Sequence, residues 1–144
     1  MRIAFRASSA PMAQAAERVL TARHGNLPLE EAQVLVALGG DGFMLQMLND
    51  TRGMDLPVYG MNCGTIGFLM NAYSPEGLET RLARAEEALI NPLVMVALTV
   101  EGEMHRAHAI NEVSLLRAGP QAAKLRISVD GRQRLVGVAV DARN

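Results

Sequence analysis

The stretch Val34-Leu35-Val36-Ala37-Leu38-Gly39-Gly40-Asp41-Gly42-Phe43 decides the fold. Five apolar residues in succession suit a central parallel strand buried on both faces, since a half-exposed strand would alternate polar and apolar residues. The run stops at paired glycines, and a helix over Phe43 to Leu48 is expected directly after them. A glycine turn at the carboxyl end of a parallel strand, opening a helix, is where open α/β sheets place their ligands.

Working outward, the flanking segments repeat the same alternation. Arg2 to Ala7 reads as a short first strand. Ser8 and Ser9 precede Pro11, which a first helical turn tolerates. Met12, Ala15, Ala16, Val19 and Leu20 recur at helical spacing between Met12 and Arg23, and Gly25 stands where a helix closes. Val58 to Met61 follows Pro57 as a third strand, and Glu76 to Leu89 is a third helix entered through Ser74-Pro75. Residues 1–90 therefore read as an open α/β domain. Asn91-Pro92 marks a change, after which the strand-like stretches are Leu93 to Val100, Met104 to Ile110, Glu112 to Arg117, Lys124 to Val129 and Leu135 to Val140. Turn signals at Glu101-Gly102, Gly119-Pro120 and Asp130-Gly131 separate them. Residues 91–144 thus read as a partial antiparallel β domain, with edges left to cover.

Composition removes several function classes. The 144 residues carry 14 Lys+Arg against 15 Asp+Glu, a net charge of −1, so no electrostatic footprint for nucleic acid or an anionic membrane is expected. Aromatics are only 3%, too few for base-stacking platforms. With 49% apolar residues the chain can build a core. The single cysteine, Cys63, makes neither an internal disulfide nor a zinc site and fits a reducing compartment. The apolar run Leu93 to Leu98 is far short of a membrane span, and Arg6 interrupts any signal-like N-terminus. A soluble, cytoplasmic protein is expected.

Chemistry concentrates in two glycine loops. In Gly39-Gly40-Asp41-Gly42 the glycines let a phosphate or sugar approach the backbone, and the N–H groups that follow can donate to it. The loop is neither a phosphate loop ending in Gly-Lys-Ser/Thr nor a Gly-x-Gly-x-x-Gly fingerprint. Its acid, Asp41, suits accepting a proton or holding a metal, but the same residue type also suits a plain helix cap. The second loop, Gly60-Met61-Asn62-Cys63-Gly64-Thr65-Ile66-Gly67-Phe68-Leu69, follows the third strand and offers Asn62 and Thr65 as polar side chains. Two such loops after adjacent strands converge on one crevice and favour a nucleotide or phosphorylated ligand.

Gly39-Gly40-Asp41-Gly42, then Asn62-x-Gly64-x-x-Gly67-Phe68-Leu69, then Asn111-Glu112-Val113 resemble the ordered motifs of the NAD kinases. The first motif alone is shared with diacylglycerol and sphingosine kinases, but the loop ending Gly-Phe-Leu and the Asn-Glu pair point to NAD kinase. The resemblance runs from about Ile3 to about Asp130. It implies phosphoryl transfer from ATP, with a divalent metal such as Mg2+, to the adenosine 2′-hydroxyl of NAD, giving NADP. Asp41 would take the hydroxyl proton with Gly42 lining the same spot, and the Gly39-Gly40 backbone would face the phosphates. Asn62, Gly64 and Gly67 would belong to the nucleotide site with Phe68 as its wall, while Asn111 and Glu112 would hold the adenosine and ribose. Homodimers or homotetramers are expected by the same resemblance.

Three features depart from the family pattern. Phe43, counted with the nucleotide loop, stands where a small Thr is frequent, and Cys63 sits at a variable loop position. The family continues past the β region with a Thr-Pro-Thr-Gly-Ser-Thr-Ala-Tyr-like segment, which the closing residues Leu135 to Asn144 do not match. A truncated chain, fragment or decayed copy is therefore expected, with a catalytically incompetent nucleotide-binding member as the alternative function. A lipid substrate has no basic or amphipathic segment to support it.

The smaller signals read as structural. His105 and His108, three apart on an expected strand, would point to opposite faces and not form a metal pair. His24 near a helix end suits a surface role beside the helix dipole. Met44, Met47 and Met61 suit gap-filling in a core. Glu30-Glu31 and Glu86-Glu87 are sequence neighbours that diverge on a helix and read as solvated faces. An acid buried at Glu112 would need partners, which a ribose's hydroxyls supply, although a hairpin-turn role suits Asn111-Glu112 as well.

Overall fold

The computed structural model describes residues 1–64, 67–116, 119 and 123–140. It divides into two compact units, Met1–Asn91 and Pro92–Asn144. In the first unit the elements follow as β1 (Ile3–Ala7), α1 (Pro11–His24), β2 (Val34–Gly39), α2 (Asp41–Asp50), β3 (Val58–Asn62), β4 (Asn71–Ala72) and α3 (Leu78–Ala83). A 3-10 turn over Leu29–Glu31 holds the adjacent glutamates in place of a helix face.

The four strands form one parallel sheet in the order β1-β2-β3-β4. Ile3 lies opposite Val34, Leu35 opposite Val58 and Met61 opposite Asn71. All six residues of β2 are buried, as expected of a strand covered on both faces. The pleat sorts its side chains by face. Val34, Val36 and Leu38 join Ile3, Phe5 and Met61 against Ala13, Ala16 and Leu20 of α1 and Leu78 and Leu82 of α3. Leu35 and Ala37 join Ala4 against Met44 and Met47 of α2. Three methionines thus fill the core, where an unbranched, polarizable chain adapts to irregular space.

The open edge of β1 is managed by the segment after α1, where Leu27 N donates to Ile3 O at 3.1 Å, and by Arg6 Nη1, which donates to Phe5 O at 2.8 Å. Asn26 accepts from Phe5 N at 2.8 Å and donates through Nδ2 to Phe5 O at 3.4 Å, taking the place of a neighbouring strand. On α1 the buried residues are Ala13, Ala16 and Leu20, whereas Met12 and Val19 are exposed, so the face turned to the sheet is narrower than the apolar spacing implied. Gly25 N donates to Thr21 O and closes that helix.

The third helix is the main correction in this unit. In place of Glu76 to Leu89 it spans Leu78–Ala83. Its entry is set by a turn in which Glu76 N donates to Ser74 Oγ, followed by Gly77 at φ 63, a left-handed conformation that glycine adopts at no steric cost. Beyond Ala83 there is no buried face to continue: residues 84–90 are exposed, Glu86 and Glu87 among them, and Leu89 is 90% exposed. Without burial, helical periodicity alone does not sustain a helix.

The second unit holds two antiparallel hairpins, β5 (Leu93–Leu98) with β6 (Met104–Ala109), and β7 (Ala123–Val129) with β8 (Arg132–Val140). Asp130 and Gly131, at φ 52 and 71, form the two-residue turn that an Asp-Gly pair favours. The strand expected at Glu112 to Arg117 is absent over residues 112–116, and Arg117 lies outside the described residues. So do Pro120 of the Gly119-Pro120 turn and residues 141–144 of the closing segment.

Candidate functional site

At the carboxyl edge of the sheet the hydrogen-bond ladder runs on past the strands. Ser8 N donates to Leu38 O and Cys63 N to Gly39 O, each at 2.9 Å, which fixes where the chain leaves β1 and β3 beside the glycine loop. Gly40 is the N-cap of α2, and its carbonyl accepts from Phe43 N at 2.9 Å and Met44 N at 3.1 Å. Asp41 is the first helical residue, and no side chain caps this helix.

The helix-cap alternative for Asp41 is therefore overturned. Its carboxylate instead reaches the second glycine loop, where Oδ2 accepts from Phe68 N at 2.8 Å and Oδ1 from Leu69 N at 3.2 Å. Both oxygens are engaged by successive backbone donors, which fixes the plane of the carboxylate. Sequence reasoning missed Leu69 in this role, because a backbone donor leaves no side-chain signature.

The glycines differ in what surrounds them. A Cβ on Gly39 would lie 2.9 Å from Phe43 Cβ, so this buried glycine makes room for Phe43, whose ring packs toward the α2 face of the core. Phe43 is thus accommodated by Gly39, and Gly39 offers no open surface to a phosphate. Gly40 and Gly42 have nothing within 4 Å of a built Cβ and are exposed, leaving space for a ligand on either side of Asp41. At Gly67 a Cβ would fall against the Asp41 carboxylate.

In the second loop Asn62 Oδ1 accepts from Gly64 N at 2.8 Å, a turn that holds the chain as it leaves β3. Thr65 lies outside the described residues. Phe68 is 98% exposed, so its ring stands free of the unit that carries it. Asn62, Gly64 and Gly67 line a cleft of about 600 Å³ with Met12, Ala15 and Val19 of α1 and with Tyr73. The exposed apolar residues of α1 thereby gain a place, which their helical spacing did not reveal. Gly67 both lines this cleft and adjoins Asp41.

Cys63 lines the same cleft but is buried in the core, with Sγ 3.7 Å from Met61 O. Burial pushes its thiol above the ordinary value of 9.0, against a smaller opposing hydrogen bond from Gly39. Tyr73 is likewise raised, chiefly by desolvation and then by the neighbouring Cys63. His24 corrects a sequence reading: its side chain is only 19% exposed, its ring lies 6.4 Å from that of Phe5, and Nδ1 is 3.7 Å from Glu79 Oε1.

Asn111 and Glu112 belong to the second unit, just beyond β6, and both are exposed. The burial considered for Glu112 is thus not observed in this unit. His105 and His108 occupy β6 opposite Ala97 and Val94, an odd spacing that puts them on opposite faces. Among the described residues no group of three His, Cys, Asp or Glu side chains could hold a metal ion.

Residues 5–90 match the family model of the ATP-NAD kinase N-terminal domain. The chain is 61% identical over 140 residues to an NAD kinase of Cereibacter sphaeroides, an alignment covering 97% of this chain and 55% of that protein. It is 54% identical over 140 residues to an NAD kinase of Caulobacter vibrioides (97% and 54% covered). Against one of Mesorhizobium japonicum it is 54% identical over 139 residues (96% and 54% covered). The chain spans about half the length of these curated relatives. With its parallel sheet, its paired glycine loops and a family match over most of its first unit, the chain belongs to the NAD kinase family.

Proposed function

We propose that this chain acts in the phosphorylation of NAD at its adenosine 2′-hydroxyl with ATP as donor, giving NADP. The observation that carries the reading is Asp41: a half-buried carboxylate at the carboxyl edge of a parallel sheet, held by two backbone donors and flanked by the open Gly40 and Gly42. Phosphoryl transfer asks little covalent chemistry of a protein and much positioning. Asp41 accepts the 2′-hydroxyl proton as the new oxygen–phosphorus bond forms and the γ-phosphorus separates from the bridging oxygen, which leaves with ADP. Gly40 and Gly42 admit the phosphates and ribose to the backbone. Asn62, Gly64 and Gly67 bound the nucleotide cleft, the exposed ring of Phe68 covers the dinucleotide, and Asn111 and Glu112 hold adenosine and ribose hydroxyls.

On this reading residues 1–90 are the nucleotide-binding domain with its Gly-Gly-Asp-Gly loop. Residues 91–144 are part of an antiparallel β-rich NAD-binding domain. The divalent cation, Mg2+, arrives as part of the ATP substrate. One carboxylate and no three-residue cluster among the described residues fit a cation carried mainly by phosphates and water. No described helix is long and apolar enough to cross a membrane. A cytoplasmic homodimer or homotetramer, with no nucleic-acid or membrane partner, completes the reading.

The test is NADP formation by the purified chain with NAD, ATP and Mg2+, run beside equilibrium dialysis of each nucleotide. NADP production supports the kinase. Retention of nucleotide without NADP supports the second reading, a binding member of the family without turnover. Neither turnover nor retention overturns both.

A further inference from the structure

We propose that Gly67 is a positioning residue for Asp41: the missing side chain at Gly67 is what lets the carboxylate seat on the backbone N–H groups of Phe68 and Leu69. A Cβ built on Gly67 would lie 2.9 Å from Asp41 Cγ and 3.1 Å from Oδ2, and closer still to Oδ1. Every carboxylate atom is thus within the space that an alanine would claim. The side chain would have to swing out of its seat, leaving the donors Phe68 N and Leu69 N behind. Those donors lie on exposed residues, so water would replace the carboxylate and the fold would lose little. The alignment of Asp41 would be lost.

This role differs from ligand approach, the usual reason for a glycine in a nucleotide loop. Gly40 and Gly42 have open space at their Cβ positions, whereas the space beside Gly67 is already taken by a residue 26 positions earlier in the chain. The seat also leaves chemistry available. Each carboxylate oxygen receives one N–H from the loop and keeps a second lone pair for an incoming hydroxyl. The loop after β3 is in this way the anchor of the acceptor on α2. The catalytic consequence rests on the reading of Asp41 given above, while the seat itself does not.

The experiment follows the Phe68 and Leu69 amide resonances of the 15N-labelled chain through an acid titration, in the wild type, Asp41→Asn, Gly67→Ala and Gly42→Ala. The wild type and Gly42→Ala are expected to show both amides moving together as the Asp41 carboxylate is protonated. Asp41→Asn and Gly67→Ala are expected to lose that shared movement with the rest of the spectrum retained. Amides that do not titrate together in the wild type, or that still do so in Gly67→Ala, overturn the proposal. A Gly67→Ala chain that fails to fold also contradicts it, because the strain is then not confined to the carboxylate. Where the wild type turns NAD over, Gly67→Ala should lower kcat by about 100-fold, the scale of a 1 Å misplacement, with KM for NAD within about twofold. An unchanged kcat removes the positioning role. A shared amide titration in a chain that makes no NADP leaves the seat standing and counts against the kinase reading alone.

Discussion

Val34-Leu35-Val36-Ala37-Leu38-Gly39 and Leu93-Val94-Met95-Val96-Ala97-Leu98 are nearly the same string of apolar residues, and both are strands. In β2 every residue is buried, but in β5 Leu93, Val94, Val96 and Leu98 are 50–69% exposed. Composition does not separate them; what is packed on each does. The first has neighbours on both edges and helices on both faces, the second one antiparallel neighbour. None of the residues with described side chains from Pro92 to Arg134 is buried. The first unit is therefore organised around a core, whereas over the described side chains from Pro92 to Arg134 the backbone pairing of the strands is what orders the chain.

That contrast can be broken by one substitution made twice. Leu35→Ala should cost about 2–5 kcal/mol, since it empties space between β2 and α2, while Leu98→Ala should stay within about 0.5 kcal/mol. Urea unfolding of both variants decides it, and equal costs would erase the distinction between the units. A smaller loss is expected at Gly60, where a Cβ would meet Met44 Sδ at 2.9 Å and Met70 Cγ at 3.0 Å. Gly60→Ala should cost about 1–3 kcal/mol by overpacking, less if the flexible methionines yield. Asn26→Ala, which strips the substitute strand from Phe5, should cost about 1 kcal/mol in the same assay. A neutral result would mean that water serves the β1 edge equally well.

The smallest effect is a pH dependence at Cys63. Burial raises the folded thiol above the ordinary value of 9.0, so folding favours the neutral form. The contribution to stability is fully present below the ordinary thiol value and is lost as pH rises through the folded value. Thiolate absorbance should appear at higher pH in native protein than in urea. Its appearance at the same pH would show that the β3 exit is more open than the buried sulfur indicates.

The first unit was legible because its signals were redundant. Unbroken apolar residues and the glycines after them specified β2, Pro57 specified the start of β3, and β1, β2 and β3 fall within a residue of expectation. The third helix was not, because its limits depend on the turn at Ser74 to Gly77 and on the lack of a buried face beyond Ala83, neither of which periodicity reports. The two-residue β4 is too short to carry a pattern. At the candidate site Asp41 was legible as an acid among glycines, but its partners were not. Phe68 and Leu69 act through backbone N–H groups, and the closeness of Gly67 to Asp41 is a tertiary fact. Glu112, whose apolar flanks raised the question of burial, is exposed.

The most direct test of the account is the rate of NADP formation by the chain with and without Asp41→Asn, both proteins first shown to be folded. Removing a positioned proton acceptor should lower turnover by about 10²–10⁴-fold while leaving nucleotide retention in place. Comparable turnover in the two proteins would contradict the assignment of Asp41, and with it the function proposed for the crevice that Asp41 occupies.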